Sequence, residues 1–184
     1  LGAIVEPNAD NLKSVISEYP EVKVYKSIDD ALEDTSLDSY TVATPAETHF
    51  EIAKKIISSK KNILVEKPFT LNIQDAKDLV ELASANSTTL MVGHLMLFHP
   101  AINKIKSIID DGKIGKVQYL YSNRLNYGKV RTEEDAFWSL APHDISIFQY
   151  IANEFPSEIL AHGSKILQKK ISDSTITKLK YKNG

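Results

Sequence analysis

Through the first half of the chain, short apolar runs alternate with stretches of helical periodicity, and this alternation limits the possible folds more than any other feature. Strand-like runs fall at 1–5, 22–24, 39–43, 62–66 and 88–92, with helical stretches near 9–18, 28–33, 47–59 and 72–86. Parallel strands need long crossovers, and a helix between every two strands supplies them. The pattern therefore predicts an α/β fold with a parallel sheet. In the last of these helices Asn72 is placed to cap the first turn and Asp75 to face its positive end, while Ile73, Ala76, Leu79, Val80 and Ala83 make one apolar face.

After Gly93 the pattern changes. A helix is expected near 100–111, ending at Asp111-Gly112, and residues 116–125 alternate like a long strand. A second helix is expected over 142–152, opened by Pro142, and strand-like runs follow at 157–168 and 174–182. Consecutive long strands after a βα repeat predict a second, α+β domain with a largely antiparallel sheet. The boundary is set at 93/94, giving domains 1–93 and 94–184. The chain opens on a strand without methionine and stops at Asn183-Gly184, a turn pair with no returning strand. Both ends therefore read as those of a fragment.

The composition is that of a soluble globular protein, with 42% hydrophobic residues, 25% charged residues and a formal net charge of -2. Such a surface offers no general attraction to nucleic acid or anionic membrane. The lysines at 165, 169, 170, 178, 180 and 182 are read as the solvated face of strands. The absence of cysteine excludes disulfides and thiolate metal sites and suits a reducing cytoplasm, and no metal centre is expected. No apolar run reaches the roughly 18 to 20 residues of a membrane-spanning helix.

Four groups of residues carry possible chemistry. Glu6 ends the first strand, where an acidic side chain in a dinucleotide-binding fold accepts hydrogen bonds from ribose hydroxyls and repels a 2′-phosphate; a plain carboxylate at a helix start fits equally. Thr44-Pro45 follows the strand at 39–43, with His49 one turn into the next helix. Thr44 suits a cofactor contact, but also a helix cap, and His49 an exposed first-turn position. Glu66-Lys67-Pro68 stops a buried strand at the sheet edge where α/β folds bind ligands, so Lys67 is either a solvated loop lysine or a donor to a reacting hydroxyl, positioned by Glu66. Finally, His143 in Trp138-Ser139-Leu140-Ala141-Pro142-His143-Asp144 has the proton affinity of a general base, and Asp144 stands beside it.

In this order, and with Val92-Gly93-His94, Phe98-His99-Pro100-Ala101 and Ile114-Gly115-Lys116-Val117 between them, the groups resemble the glucose-fructose oxidoreductase, inositol dehydrogenase and rhizopine catabolism (Gfo/Idh/MocA) family. The run from Arg124-Leu125-Asn126 through Arg131-Thr132-Glu133-Glu134 to Ala141-Pro142-His143-Asp144 is similar to the branch that oxidises nucleotide-activated amino sugars, such as UDP-N-acetylglucosamine 3-dehydrogenases. The resemblance implies an incomplete Rossmann-type domain followed by part of a substrate-binding α+β domain. It implies a cytoplasmic NAD(P)-dependent sugar dehydrogenase that uses NAD in preference to NADP and forms homo-oligomers when complete. Lys67 and His143 would be catalytic. Glu6, Thr44, Pro45, His49, Glu66, Lys67 and His94 would face the cofactor, and Arg124, Asn126, Lys129, Arg131 and Asp144 the substrate. A dehydrogenase of free sugars or inositols, or a non-catalytic NAD- or sugar-binding regulator, is the alternative.

Two departures stand out. Ser139 occupies the position, four residues before the histidine, where many members carry aspartate. None of the seven glycines forms a Gly-x-Gly-x-x-Gly turn for the cofactor phosphates. The resemblance places that turn, with the first strand and helix, ahead of Leu1. Without it the chain alone should hold NAD poorly and turn over little.

Overall fold

The computed structural model describes residues 1–125 and 134–182. The chain divides into two units, Leu1–Val92 and Gly93–Gly184.

In the first unit β1 (Ala3–Val5) pairs in parallel with β2 (Lys23–Tyr25). Between them runs α1 (Ala9–Glu18), whose first turn is capped by the Asn8 side chain accepting from the backbone of Asp10 and Asn11 at 2.9 and 3.2 Å. The short α2 (Ile28–Leu32), capped by Ser27, leads to β3 (Ser39–Val42), α3 (His49–Ser58), β4 (Asn62–Val65), α4 (Ile73–Asn86) and β5 (Leu90–Val92). These last three strands form a parallel sheet in the order β3-β4-β5. Among the described residues β1 and β3 do not pair with each other, so the parallel structure is in two pieces.

The core lies where α3 and α4 cover the three-stranded sheet. His49, Ala53, Ile56 and Ile57 of α3 recur at helical spacing and are all buried; Leu79 and Ala83 of α4 meet them over Val42, Ile63 and Val65. Asn72 caps α4 as expected, its side chain accepting from Gln74 N at 2.7 Å. Of the expected α4 face, however, Ile73 and Val80 stand 67% and 56% exposed. Val80 is turned about 100° from Leu79, beyond the width of the buried stripe.

In the second unit α5 (Pro100–Asp110) starts at His99, whose Nδ1 accepts from Ala101 N at 3.1 Å, with Pro100 in the first turn. Residues 116–125, expected as a long strand, are described without strand structure. Their alternation suits a strand, but no ladder partner is described beside them, and Tyr119 and Leu125 are 85% and 88% exposed.

The next helix also differs from expectation. α6 spans Ala136–Ala152, starting at Asp135, whose carboxylate accepts from Trp138 N at 2.9 Å, with Pro142 inside it. The cap and the apolar Ala136-Phe137 turn outweigh the one backbone donor that Pro142 removes from the Trp138 carbonyl. β6 (Glu158–Ser164) and β7 (Ser174–Lys180) then form an antiparallel hairpin. β6 stops short of the expected residue 168 because the Asp173 carboxylate accepts the backbone N–H groups of Ile166, Leu167 and Gln168. The connection closes on that carboxylate instead of extending the ladder. Among the described residues no helix is long and apolar enough to cross a membrane.

Candidate active site

The register of β3 and β4 places Thr44 and Lys67, two of the residues the sequence singles out, at one edge of the first unit. Val42 pairs with Val65, so Thr44 and Lys67 each lie two residues beyond one row of a parallel ladder, whose strands run about 4.8 Å apart. Thr44 and Pro45 are exposed there. The Thr48 hydroxyl lies 2.7 Å from both the Thr44 hydroxyl and the Pro45 carbonyl, which fixes the turn. On the neighbouring strand Glu66 N donates to the Val42 carbonyl at 2.9 Å, and Glu66 Oε2 accepts from the backbone N–H of Lys67 at 3.2 Å. Glu66 therefore braces the turn through its backbone as well as its charge. The Lys67-Pro68 peptide is cis, and Lys67 itself is half-buried.

His49 is not the exposed first-turn residue that its position allowed. Its ring is 1% exposed, with Nδ1 2.9 Å from the Pro68 carbonyl oxygen and Nε2 2.9 Å from that of Thr44. At the other end of this unit Glu6 Oε1 accepts from Asn8 N at 2.8 Å and Oε2 from the Asn11 side-chain amide at 3.3 Å. The carboxylate holds the start of α1, and with about four acceptor positions it keeps capacity for a further donor.

In the second unit His94 lies two residues after the end of β5. Its Nδ1 is enclosed without a hydrogen-bond partner among the described residues, and burial pushes the imidazole below its ordinary pKa, which keeps it neutral at physiological pH. His143 sits in the middle of α6, not at its start, one turn after the buried Ser139, and its carbonyl accepts the Ser146 hydroxyl at 2.8 Å. Asp144 faces another way. It accepts from Ser122 Oγ at 2.8 Å and Arg124 Nε at 2.6 Å, which ties residues 116–125 to α6. Arg124 and Asp144 line a cavity of about 1000 Å³ with Leu140, Phe148, Ile151 and Leu179. Asn126, Lys129 and Arg131 lie outside the described residues.

Residues 1–94 match the GFO/IDH/MocA oxidoreductase family with its NAD-binding Rossmann fold, and residues 102–184 match the GFO/IDH/MocA C-terminal domain. The chain belongs to the GFO/IDH/MocA family. It is 27% identical over 196 residues to a myo-inositol 2-dehydrogenase of Thermotoga maritima, covering 100% of this chain and 58% of that protein. It is also 27% identical over 176 residues to a UDP-N-acetylglucosamine 3-dehydrogenase of Acidithiobacillus ferrooxidans, covering 95% and 54%. A crystal structure of a probable dehydrogenase from Thermotoga maritima superposes with a TM-score of 0.85 at 26% identity, over 100% of this chain and 59% of that one. The chain thus spans a little over half the length of these relatives.

Within the first unit of this GFO/IDH/MocA chain, Glu6 carries a carboxylate with spare acceptor capacity and Thr44 an exposed hydroxyl. Nothing in the sequence supplies the glycine turn for the pyrophosphate. No cluster of three or more metal-ligating side chains occurs among the described residues. Sequence reasoning missed Thr48 and Ser122, whose hydroxyls organise the turn at Thr44 and the Arg124-Asp144 pair. Neither has a local signature, because each is defined by a partner that folding brings to it.

Proposed function

We propose that this chain carries the nicotinamide end and the substrate-facing residues of an NAD-dependent dehydrogenase acting on a secondary hydroxyl of a nucleotide-activated sugar, of the UDP-N-acetylhexosamine kind. The observation that carries the reading is the shared row of Val42 and Val65, which aims Thr44 and Lys67 from adjacent strand ends of an NAD-binding fold. Lys67 donates a hydrogen bond to the hydroxyl oxygen and stabilises the negative charge that develops on it. His143 takes the hydroxyl proton as general base. NAD, when bound, supplies the acceptor for the hydride that leaves the same carbon. Glu6 favours NAD over NADP by repelling a 2′-phosphate.

Arg124, Asn126, Lys129 and Arg131 are assigned to the substrate's pyrophosphate and sugar. Arginine suits that role because its fork binds phosphate oxygens bidentately, and Asp144 orients Arg124 through Nε. The complete protein is proposed to work as a homo-oligomer. A second reading, dehydrogenation of inositol or a free sugar, is supported by the myo-inositol 2-dehydrogenase relative. Offering the full-length protein UDP-N-acetylglucosamine and myo-inositol in turn, with NADH absorbance as readout, separates the two. NADH formed only with the nucleotide sugar supports the first reading, and NADH formed only with inositol replaces it. Tight binding of either without NADH would point to a regulatory binder.

A further inference from the structure

His49 is out of reach of any ligand, since its ring is 1% exposed, yet it touches both turns of the proposed cofactor edge. Nε2 lies 2.9 Å from the carbonyl oxygen of Thr44 and Nδ1 lies 2.9 Å from that of Pro68. Each contact falls on or next to a residue assigned to chemistry: Thr44 carries its own hydroxyl, and Pro68 follows Lys67 directly. The ring is in turn fixed by α3, on whose buried face it stands with Ala53, Ile56 and Ile57. A neutral imidazole carries one N–H and donates to one of the two carbonyl oxygens, and only the imidazolium donates to both.

We infer that His49 is a positioning residue that ties the Thr44-Pro45 turn to the Lys67-Pro68 turn, so that one buried ring sets both the cofactor contact and the placement of the catalytic lysine. The inference rests on the dehydrogenase reading above. It also converts the direct cofactor contact expected for His49 into an indirect one, because the residue is buried and each ring nitrogen faces a backbone carbonyl oxygen.

The two halves of the tie can be cut separately. An asparagine amide nitrogen falls near the position of Nδ1, and a glutamine amide nitrogen near that of Nε2. His49→Asn therefore keeps the Pro68 contact and loses Thr44, and His49→Gln does the reverse. In the full-length protein His49→Asn should weaken NAD binding about tenfold by calorimetry while kcat at saturating NAD stays within about twofold. His49→Gln should leave NAD affinity within about twofold and lower kcat about tenfold or more, because small displacements of a reacting group are costly. Parallel losses of affinity and turnover in both variants would mean a merely structural histidine.

Wild-type protein gives a readout that needs no variant. On titration with NAD the His49 ring ¹⁵N resonances should move although the ring cannot touch the ligand, and unmoved resonances would overturn the inference. Failure of the parent reading looks different: Lys67→Ala with undiminished turnover would remove the catalytic role of the lysine, while the split in NAD affinity between the two His49 variants would still report on the tie to Thr44.

Discussion

The turns after β3 and β4 and the segment before α6 are both assigned to chemistry, but they are held by different forces. Thr44 and Lys67 extend from a parallel ladder whose covering helices bury Ile56, Ile57, Leu79 and Val65 completely or nearly so. Residues 116–125 have no described ladder and are fastened to α6 through hydrogen bonds from Ser122 and Arg124 to Asp144. The first arrangement is set by buried backbone and apolar packing, and the second by a partly exposed charge pair that solvent weakens. Rigid placement should therefore belong to the lysine turn, and adaptability to the arginine.

The strongest way to break this contrast is through the core. Ile56→Ala should cost about 2–5 kcal/mol, the usual range for truncating a fully buried isoleucine, and should lower the denaturation midpoint of the first unit. An unchanged midpoint would mean that the α3 packing does not hold the edge. Next in size is Asp144→Ala, which should raise KM for a nucleotide sugar about tenfold by releasing the arginine fork, with kcat nearly constant. An equal effect on a free sugar would show that Arg124 does not read phosphate. Asp135→Ala should cost about 1 kcal/mol, as loss of an N-cap does, and should fray α6 at Ala136–Trp138 in hydrogen exchange without touching Lys67.

The smallest effect is acid sensitivity. Burial opposes ionisation of Asp173, but the backbone N–H groups of Ile166, Leu167, Gln168 and Asp173 itself prevail and hold its carboxyl below the usual range. A depressed folded value gives stability that is complete above the unfolded aspartate value of about 3.9 and is lost as pH falls through the folded one. Amides 166–168 should therefore exchange faster in that acid window, and Asp173→Asn should abolish the pH dependence. Asp34 in the first unit behaves alike, lowered by the Ser36 hydroxyl, then Lys23 and Tyr25. Acid should thus loosen both units locally, leaving the α3–α4 core intact.

The same contrast explains what could be read from sequence. α4 was legible because Asn72 and the apolar spacing of Leu79 and Ala83 are local signals, and β4 because its apolar run ends in Glu66-Lys67-Pro68. The Thr44 and Lys67 positions follow from those strand ends. Residues 116–125 misled because alternation marks a possible strand, whereas a ladder needs a partner far along the chain. At α6, Pro142 carries the local signal of a helix start, but Asp135 before an apolar turn is the stronger one. His49 looked like a surface residue because nothing in Thr48-His49-Phe50 announces two carbonyls supplied by residues 44 and 68.

The central claim, that Lys67 is the catalytic lysine of an NAD-dependent dehydrogenase, is tested most directly by Lys67→Ala in the full-length protein, with NAD affinity and kcat measured side by side. The expected result is a fall in kcat of about 10²- to 10⁴-fold with the Kd for NAD within about twofold of wild type. Wild-type turnover in that variant would contradict it.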